Sequence, residues 1–290
     1  MRMPDSAHPA RRDWVRLRRD PDTGIESVHA HFRGHAYDPH DHDEALVGVT
    51  QQGVQRFRCH RAVHQSTAGR VMLIEPGAVH DGHAPDEVGF TYAMLYLPQA
   101  WLAAAAARLG LPAGAAIGAA FKRTVAADDA LRDTIQRAFA ALHGGEARLA
   151  REQSLDDLLL RLSAHAGVCA AAEAPGPLQR VRELLHERMA EDLGLDELAR
   201  ASGIDRFRLT REFKRAFGQS PHAYLVRLRL RAARALLAAG GEPGAVALAV
   251  GFADQSHLGR WFQRAYRLSP GAYRRQCTNV LDRADAPAGA

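Results

Sequence analysis

The chain has 290 residues, 47% of them hydrophobic and 24% charged, with a formal net charge of +5. That much apolar side chain can fill two cores, which excludes a disordered or low-complexity chain. Three widely spaced cysteines, Cys59, Cys169 and Cys277, exclude a disulfide scaffold and a CxxC metal site, and suit free thiols in a reducing cytoplasm, the expected location. No apolar run approaches a membrane span. Arg2, Arg11 and Arg12 lack the apolar core of a signal peptide, so no membrane partner is expected.

Residues 1–13 and 282–290 read as loose tails. From about Trp14 to Leu97, short apolar runs alternate with Gly, Pro and Asp. The spacing predicts strands over Ala45–Thr50, Val54–Cys59, Val71–Ile74 and Phe90–Leu97, with turns at Gly53 and Gly69. Such a punctuated all-β stretch predicts a small jelly-roll barrel. From Pro98 to about Gly167 the period becomes helical. Ala127–His143 carries Leu131, Ile135, Phe139 and Leu142, and Glu146–His165 carries Leu155, Leu158, Leu159 and Leu162. One apolar face of these helices must pack on the barrel. Whether all of it does so, or part joins two protomers, stays open at this point.

Small residues and Pro175-Gly176-Pro177 mark 170–177 as an inter-domain linker between a domain at 14–169 and another at 178–276. Charge divides the two. Residues 178–276 hold 18 Lys+Arg against 10 Asp+Glu, whereas residues 1–177 hold 19 against 21. A basic half beside a near-neutral half points to a nucleic-acid module joined to something else.

The basic half contains one unit twice. At an offset of 48, Ala199, Ala201 and Gly203 reappear as Ala247, Ala249 and Gly251. At an offset of 49, Leu209, Arg211, Phe213, Ser220, Pro221 and Tyr224 reappear as Leu258, Arg260, Phe262, Ser269, Pro270 and Tyr273. Each unit reads as a short helix, a Gly turn, an Asp cap (Asp205, Asp254) and a second helix. Leu209, Phe213 and Phe217 form the inner row of the first second-helix, and Leu258, Phe262 and Tyr266 that of the other. The outer face of the first then carries Arg206, Phe207, Thr210, Arg211 and Lys214. The outer face of the second carries Gln255, Ser256, Gly259, Arg260 and Gln263. Arg can bond guanine bidentately and Gln can bond adenine, so such faces suit the major groove of double-stranded DNA. Pro221 to about Ala239 predicts a helix between the units, with Leu225, Leu228, Ala232, Leu236 and Leu237 as its stripe.

The run Ala249-Val250-Gly251-Phe252-Ala253-Asp254-Gln255-Ser256-His257-Leu258, followed by Arg260, Phe262, Arg264, Pro270 and Tyr273-Arg274, is similar to the signature of the AraC/XylS family of bacterial transcription regulators. The resemblance covers about the last third of the chain. It implies two helix-turn-helix subdomains on a long helix, and base-reading positions at Phe207, Thr210, Arg211, Gln255, Ser256, Gly259 and Arg260.

The barrel region carries a second resemblance. Gly34-x5-His40-x-His42-x3-Leu46-x6-Gly53 resembles the first cupin motif, and Gly69, Gly77 and His80 resemble the second. Leu46 stands where metal-binding cupins carry Glu, so the metal cage is incomplete and no metal or cofactor is expected. Three readings of the histidines remain. They hold the barrel's turns and hydrogen bonds, they bind a metal through three imidazoles, or His40, His42, Arg56, Arg58, His80, Tyr92 and Tyr96 line a pocket for an organic effector. The AraC resemblance implies the last.

The fold expected is a two-domain α+β chain, a cupin-like β-barrel with appended helices followed by an all-α pair of helix-turn-helix subdomains. The function expected is a non-enzymatic, sequence-specific DNA-binding regulator controlled by a small-molecule effector. A homodimer is expected, with RNA polymerase as a further candidate partner. The alternative is a cupin enzyme with a DNA-binding anchor.

Overall fold

Alternation of side chains across two packed layers organises the first half of the chain. The structure, a computed structural model, describes residues 13–111, 117–167 and 176–278. Cys169, residues 1–12 and 282–290 of the expected tails and linker residues 170–175 lie outside the described residues. Asp13 lies inside them and is no loose end: its carboxylate accepts from the Arg33 amide at 2.9 Å.

Strands β1 (Trp14–Arg19), β2 (Glu26–Phe32), β3 (His35–His40), β4 (Ala45–Cys59), β5 (Ala62–Thr67), β6 (Val71–Ile74), β7 (His80–His83), β8 (Phe90–Leu97) and β9 (Val125–Ala126) pair antiparallel throughout. One sheet runs β1-β2-β8-β4-β6-β9, and β3, β7 and β5 join it through β4. Strand β4 is therefore shared. Its first half pairs β8 and β6 (Val47↔Leu95, Leu46↔Ile74), and its second half pairs β5 and β7 (Arg56↔Gln65, Cys59↔His80).

The expected break at Gly53 is not a turn. Ala45–Cys59 is one strand, and Gly53 sits inside it at φ +71°, just beyond a register shift between Thr50 and Gln52. A Cβ at Gly53 would lie 1.9 Å from the Gly89 carbonyl oxygen, so the close crossing requires Gly there. Gly69, at φ +84°, is the turn expected.

Strand β8 is buried on both faces, which explains its mostly apolar sequence, broken only by the buried Thr91 and the tyrosine hydroxyls. Tyr92 and Met94 turn into the barrel with Val28, Phe32, Leu46, Met72 and Ile74. Ala93, Leu95 and Leu97 turn outward onto helices. Those helices are α1 (Gln99–Arg108), α2 (Asp129–Gly144) and α3 (Arg148–Ser163). Asp128 caps α2 by accepting from the Leu131 amide, and Gly145 at φ +71° ends it. Leu131, Ile135, Leu155, Leu158, Leu159 and Leu162 are all buried against this outer face of the sheet. On α3, Leu149 and Leu160 remain exposed.

The second half is helical: α4 (Gly176–Glu187), α5 (Leu195–Ser202), α6 (Arg206–Phe217), α7 (Pro221–Ala238), α8 (Pro243–Ala249), α9 (Gln255–Tyr266) and α10 (Pro270–Cys277). Gly176 and Pro177, expected in the linker, instead open α4, where Pro suits the first turn. Helix α7 serves two cores. Leu225 and Leu228 pack with Leu198, Leu209 and Phe213. Val226, Leu230, Ala233 and Leu237 pack with Leu258, Phe262 and Tyr273. This division corrects the single stripe expected: Leu236 is exposed and Ala232 only partly buried, because the helix is gripped from two sides. No helix among the described residues is long and apolar enough to cross a membrane.

Candidate DNA-reading faces and the closed mouth of the barrel

Both expected reading helices start where their caps place them. After Gly203 at φ +69°, Asp205 accepts from the Phe207 and Arg208 amides and starts α6. After Gly251 at φ +90°, Asp254 accepts from the His257 amide at 2.6 Å and starts α9. The inner rows are in phase: Leu209, Phe213, Leu258 and Phe262 are fully buried. Arg206, Phe207, Arg211 and Lys214 are exposed on α6, and Gln255, Ser256, Arg260 and Gln263 on α9. Phe207 is 81% exposed, an apolar ring standing free on a basic face. Thr210 is half-buried, and its hydroxyl donates to the Arg206 carbonyl at 3.0 Å. Gly259 leaves open space where a side chain would stand.

In the barrel, His40, His42 and His80 converge. Their ring nitrogens come within 4.8 Å of one another, so three imidazoles could meet on a single ion. His40 Nδ1 faces the Asp38 carbonyl at 2.8 Å and His80 Nδ1 faces the Ala78 carbonyl at 2.9 Å. A carbonyl only accepts, so each Nδ1 carries the proton and each Nε2 keeps its lone pair. His42 Nδ1 accepts from Arg234 at 3.4 Å, and its Nε2 has no hydrogen-bond partner. Burial holds all three imidazoles below their ordinary pKa. His40 and His42 are lowered further, by His80 and by His40 respectively, then by α7 arginines.

These histidines line one cavity with Tyr92, Tyr96, Tyr37, Gln55, Phe32 and Met94. Arg56 and Arg58, expected in the pocket, are outside it. They alternate with Gln55 and Phe57 along β4, so when those turn inward the two arginines face solvent.

The helical half closes this cavity, a feature absent from the sequence reading. Arg234 of α7, Tyr266 of α9 and Tyr273 of α10 are part of its wall. Arg234 is buried, donates to Glu26 and Glu44 at 2.6 Å each, and lies 5.0 Å from the Tyr96 ring centroid. Burial works against its charge, but the two carboxylates outweigh burial and raise its pKa well above the ordinary value. Arg231 pairs with Asp43 at 2.6 Å and Asp41 at 3.4 Å, and Arg227 with Asp41 at 3.7 Å. Tyr273 donates to Glu26 at 2.5 Å, and Tyr266 stacks edge-on over His40. The signal was in the sequence: Arg227, Arg231 and Arg234 stand at i, i+4 and i+7 on one helix face. Asp41, Asp43 and Glu44 stand opposite, beside the very histidines singled out.

A cavity inside a β-barrel, closed by the helix that carries two helix-turn-helix units, defines a class: transcription regulators that couple a ligand-binding barrel to a DNA-reading pair. A model of the AraC-like ligand binding domain matches residues 22–162, and one of a helix-turn-helix domain matches residues 198–276. The chain is 25% identical over 248 residues to the uncharacterized HTH-type transcriptional regulator YbfI of Bacillus subtilis (strain 168), covering 83% of this chain and 88% of YbfI. It is 35% identical over 91 residues to the HTH-type transcriptional regulator MtrA of Neisseria gonorrhoeae, spanning only 30% of MtrA and 31% of this chain. An apo form of ToxT from Vibrio cholerae shares the fold with a TM-score of 0.56 at 11% identity, over 90% of this chain and 99% of ToxT. A ToxT structure with unsaturated fatty acid bound gives 0.52 at 12% identity, over 93% of this chain and 95% of ToxT. The chain belongs to the AraC family of transcription regulators.

Proposed function

We propose that residues 14–169 form an effector-binding domain and residues 178–276 a DNA-binding domain, and that an effector entering the barrel acts by displacing the α7–α10 face from its mouth. One observation carries this reading: the helix that joins the two DNA-reading units is also the plug of the cavity. As closed here, the cavity is about 50 Å³. That holds a water or two, whereas organic ligands occupy roughly 300–1,000 Å³. A ligand of that size therefore has to move Arg234, Tyr266 or Tyr273, and with them α7, α9 and α10. A ligand that binds only the opened arrangement shifts the population toward it.

DNA is read by Arg206, Phe207, Thr210, Arg211 and Lys214 of α6 and by Gln255, Ser256, Arg260 and Gln263 of α9, with Gly259 contributing close approach rather than a side chain. The relatives are transcription regulators, which favours this over an enzyme with a DNA anchor. We place the protein in the cytoplasm as a homodimer, with exposed Leu149 and Leu160 of α3 as the contact, and RNA polymerase as a partner on DNA. Selection of bound duplexes from a random pool by the full chain tests the reading. The expected product is a site with two motifs about 10 base pairs apart, one per reading helix. Recovery of duplexes with no common motif contradicts it.

A further inference from the structure

Arg234 occupies the barrel mouth as a tethered ligand would. Its guanidinium reaches Glu26 and Glu44 and lies over the Tyr96 ring, all three supplied by the barrel. Take α7 away, and the mouth keeps Glu26, Asp41, Asp43 and Glu44, whose cationic partners across the interface are the arginines of that helix. Deeper in, the polar atoms are mixed: His42 Nε2 carries a proton, since its Nδ1 accepts from Arg234, and free acceptors stand near it. His40 and His80 each turn an Nε2 lone pair away from their carbonyl partners. Gln55 is buried, and its Oε1 has no partner while its amide donates to Tyr37. Beyond these lies an apolar wall that includes Phe32, Met72 and Met94.

We propose, on the reading that an effector enters by displacing Arg234, that this effector is an organic cation: a guanidinium or ammonium head on an apolar body. The head replaces the Arg234 guanidinium at Glu26, Glu44 and Tyr96, and the body enters the barrel. The exchange keeps charge balanced. Arg234 leaves with its helix into water, and the two carboxylates that it held, Glu26 and Glu44, keep a counter-charge. A carboxylate ligand does the reverse. It competes with Glu26 and Glu44 for Arg234 and strands one of them in the interior.

The test uses two probes with the same apolar body and opposite heads, phenylbutylguanidinium and phenylbutyrate, titrated calorimetrically into the full chain prepared without a His-tag. Zinc ion is the third titrant. Wild type is expected to bind the guanidinium at least about tenfold more tightly than the carboxylate. Arg234→Ala, which removes the tethered competitor, raises guanidinium affinity by about tenfold again. Glu26→Gln with Glu44→Gln abolishes the preference. The wild-type comparison decides the matter even if a variant fails to fold. Equal or tighter binding of phenylbutyrate overturns the proposal. So does binding of no organic probe, or saturable binding of zinc alone at one equivalent. The DNA reading fails separately. If the guanidinium binds yet DNA affinity is unchanged, the cation site stands and its regulatory role falls. If phenylbutyrate binds instead and DNA affinity changes, regulation stands and the cation falls.

Discussion

The two helix-turn-helix units have separate cores of matching make-up and differ in what lies around them. In the first, Tyr224 pairs with His186 of its own unit at 2.9 Å, and Gly218 ends α6 in the left-handed region at φ +77°. In the second, the matching Tyr273 reaches out of the unit to Glu26 of the barrel. Arg267 stands at the place of Gly218, also left-handed at φ +59°, and pairs with Asp13 at 3.1 Å. Arg264 pairs with Asp38 at 2.6 Å, and the Leu17 amide donates to Gln276 at 2.8 Å. The first unit meets the barrel through little more than Arg61 donating to the Arg215 carbonyl. Matching positions build the two cores, but docking draws on both kinds: Tyr273 and Arg264 repeat Tyr224 and Arg215, whereas Arg267 stands where the first unit has Gly218. A repeat therefore teaches as much where it fails as where it holds.

The largest break in that asymmetry comes from Arg234→Ala. It leaves Glu26 and Glu44 facing a low-dielectric interior without their cation, and removing one partner of a buried pair costs about 3–5 kcal/mol. Denaturant unfolding of the full chain should show a loss of that order, and a change under about 1 kcal/mol would mean the cluster is solvated. Leu209→Ala and Leu258→Ala should each cost about 2–5 kcal/mol, because both side chains are fully buried in matching cores. Two separate melting transitions in only one of these variants would show that the units are not equivalent inside.

On the outer faces the effects are smaller. Arg211→Ala and Arg260→Ala should each weaken specific DNA binding by about 1–3 kcal/mol in a gel-shift assay at fixed salt. Gly259 gives α9 one side chain fewer, so the second half-motif should tolerate more base changes. Equal binding by wild type and both variants would remove α6 and α9 from the interface.

The barrel histidines add a pH dependence. Burial holds His40, His42 and His80 below 6.5 in the folded chain, helped by neighbouring positive charge at His40 and His42 and opposed by Asp41 and Asp81 at His80. The unfolded chain takes up protons at 6.5 that the folded chain refuses. Their contribution to stability is thus complete above pH 6.5 and is lost as pH falls through the lowered folded values. Urea midpoints at about pH 7.5 and pH 5.5 should fall on acidification, and a midpoint that rises would give the opposite sign. The smallest effect belongs to Arg267→Gly. Relief of left-handed strain, about 1 kcal/mol or more, offsets loss of a partly exposed ion pair worth about 0–1 kcal/mol. The melting midpoint should scarcely move.

Local patterns were legible in the sequence where one period and one partner decide the outcome. The Asp caps, Gly turns, inner rows, β6 and β8 lie where spacing places them, and His40, His42 and His80 meet as the cupin-like spacing implies. Legibility failed where two partners share one element. Strand β4 was divided at Gly53 because a bulge and a turn use the same residue. Helix α7 was given one stripe because two apolar faces and a row of arginines overlap in its period. Arg56 and Arg58, candidates for the pocket, stand on the solvent side of β4, because Gln55 and Phe57 hold its inner side. The docking cluster was missed for a further reason: Glu26 and Arg234 are 208 residues apart, and no local period links them.

Hydrogen exchange of the full chain, wild type against Arg234→Ala, tests most directly whether this cluster holds the DNA-reading half on the barrel. The expected result is loss of protection confined to β2, β3 and the faces of α7, α9 and α10 that cover the mouth, with β4 and β8 unchanged. Unchanged protection along α9, α10 and β3 in a folded Arg234→Ala chain would contradict it.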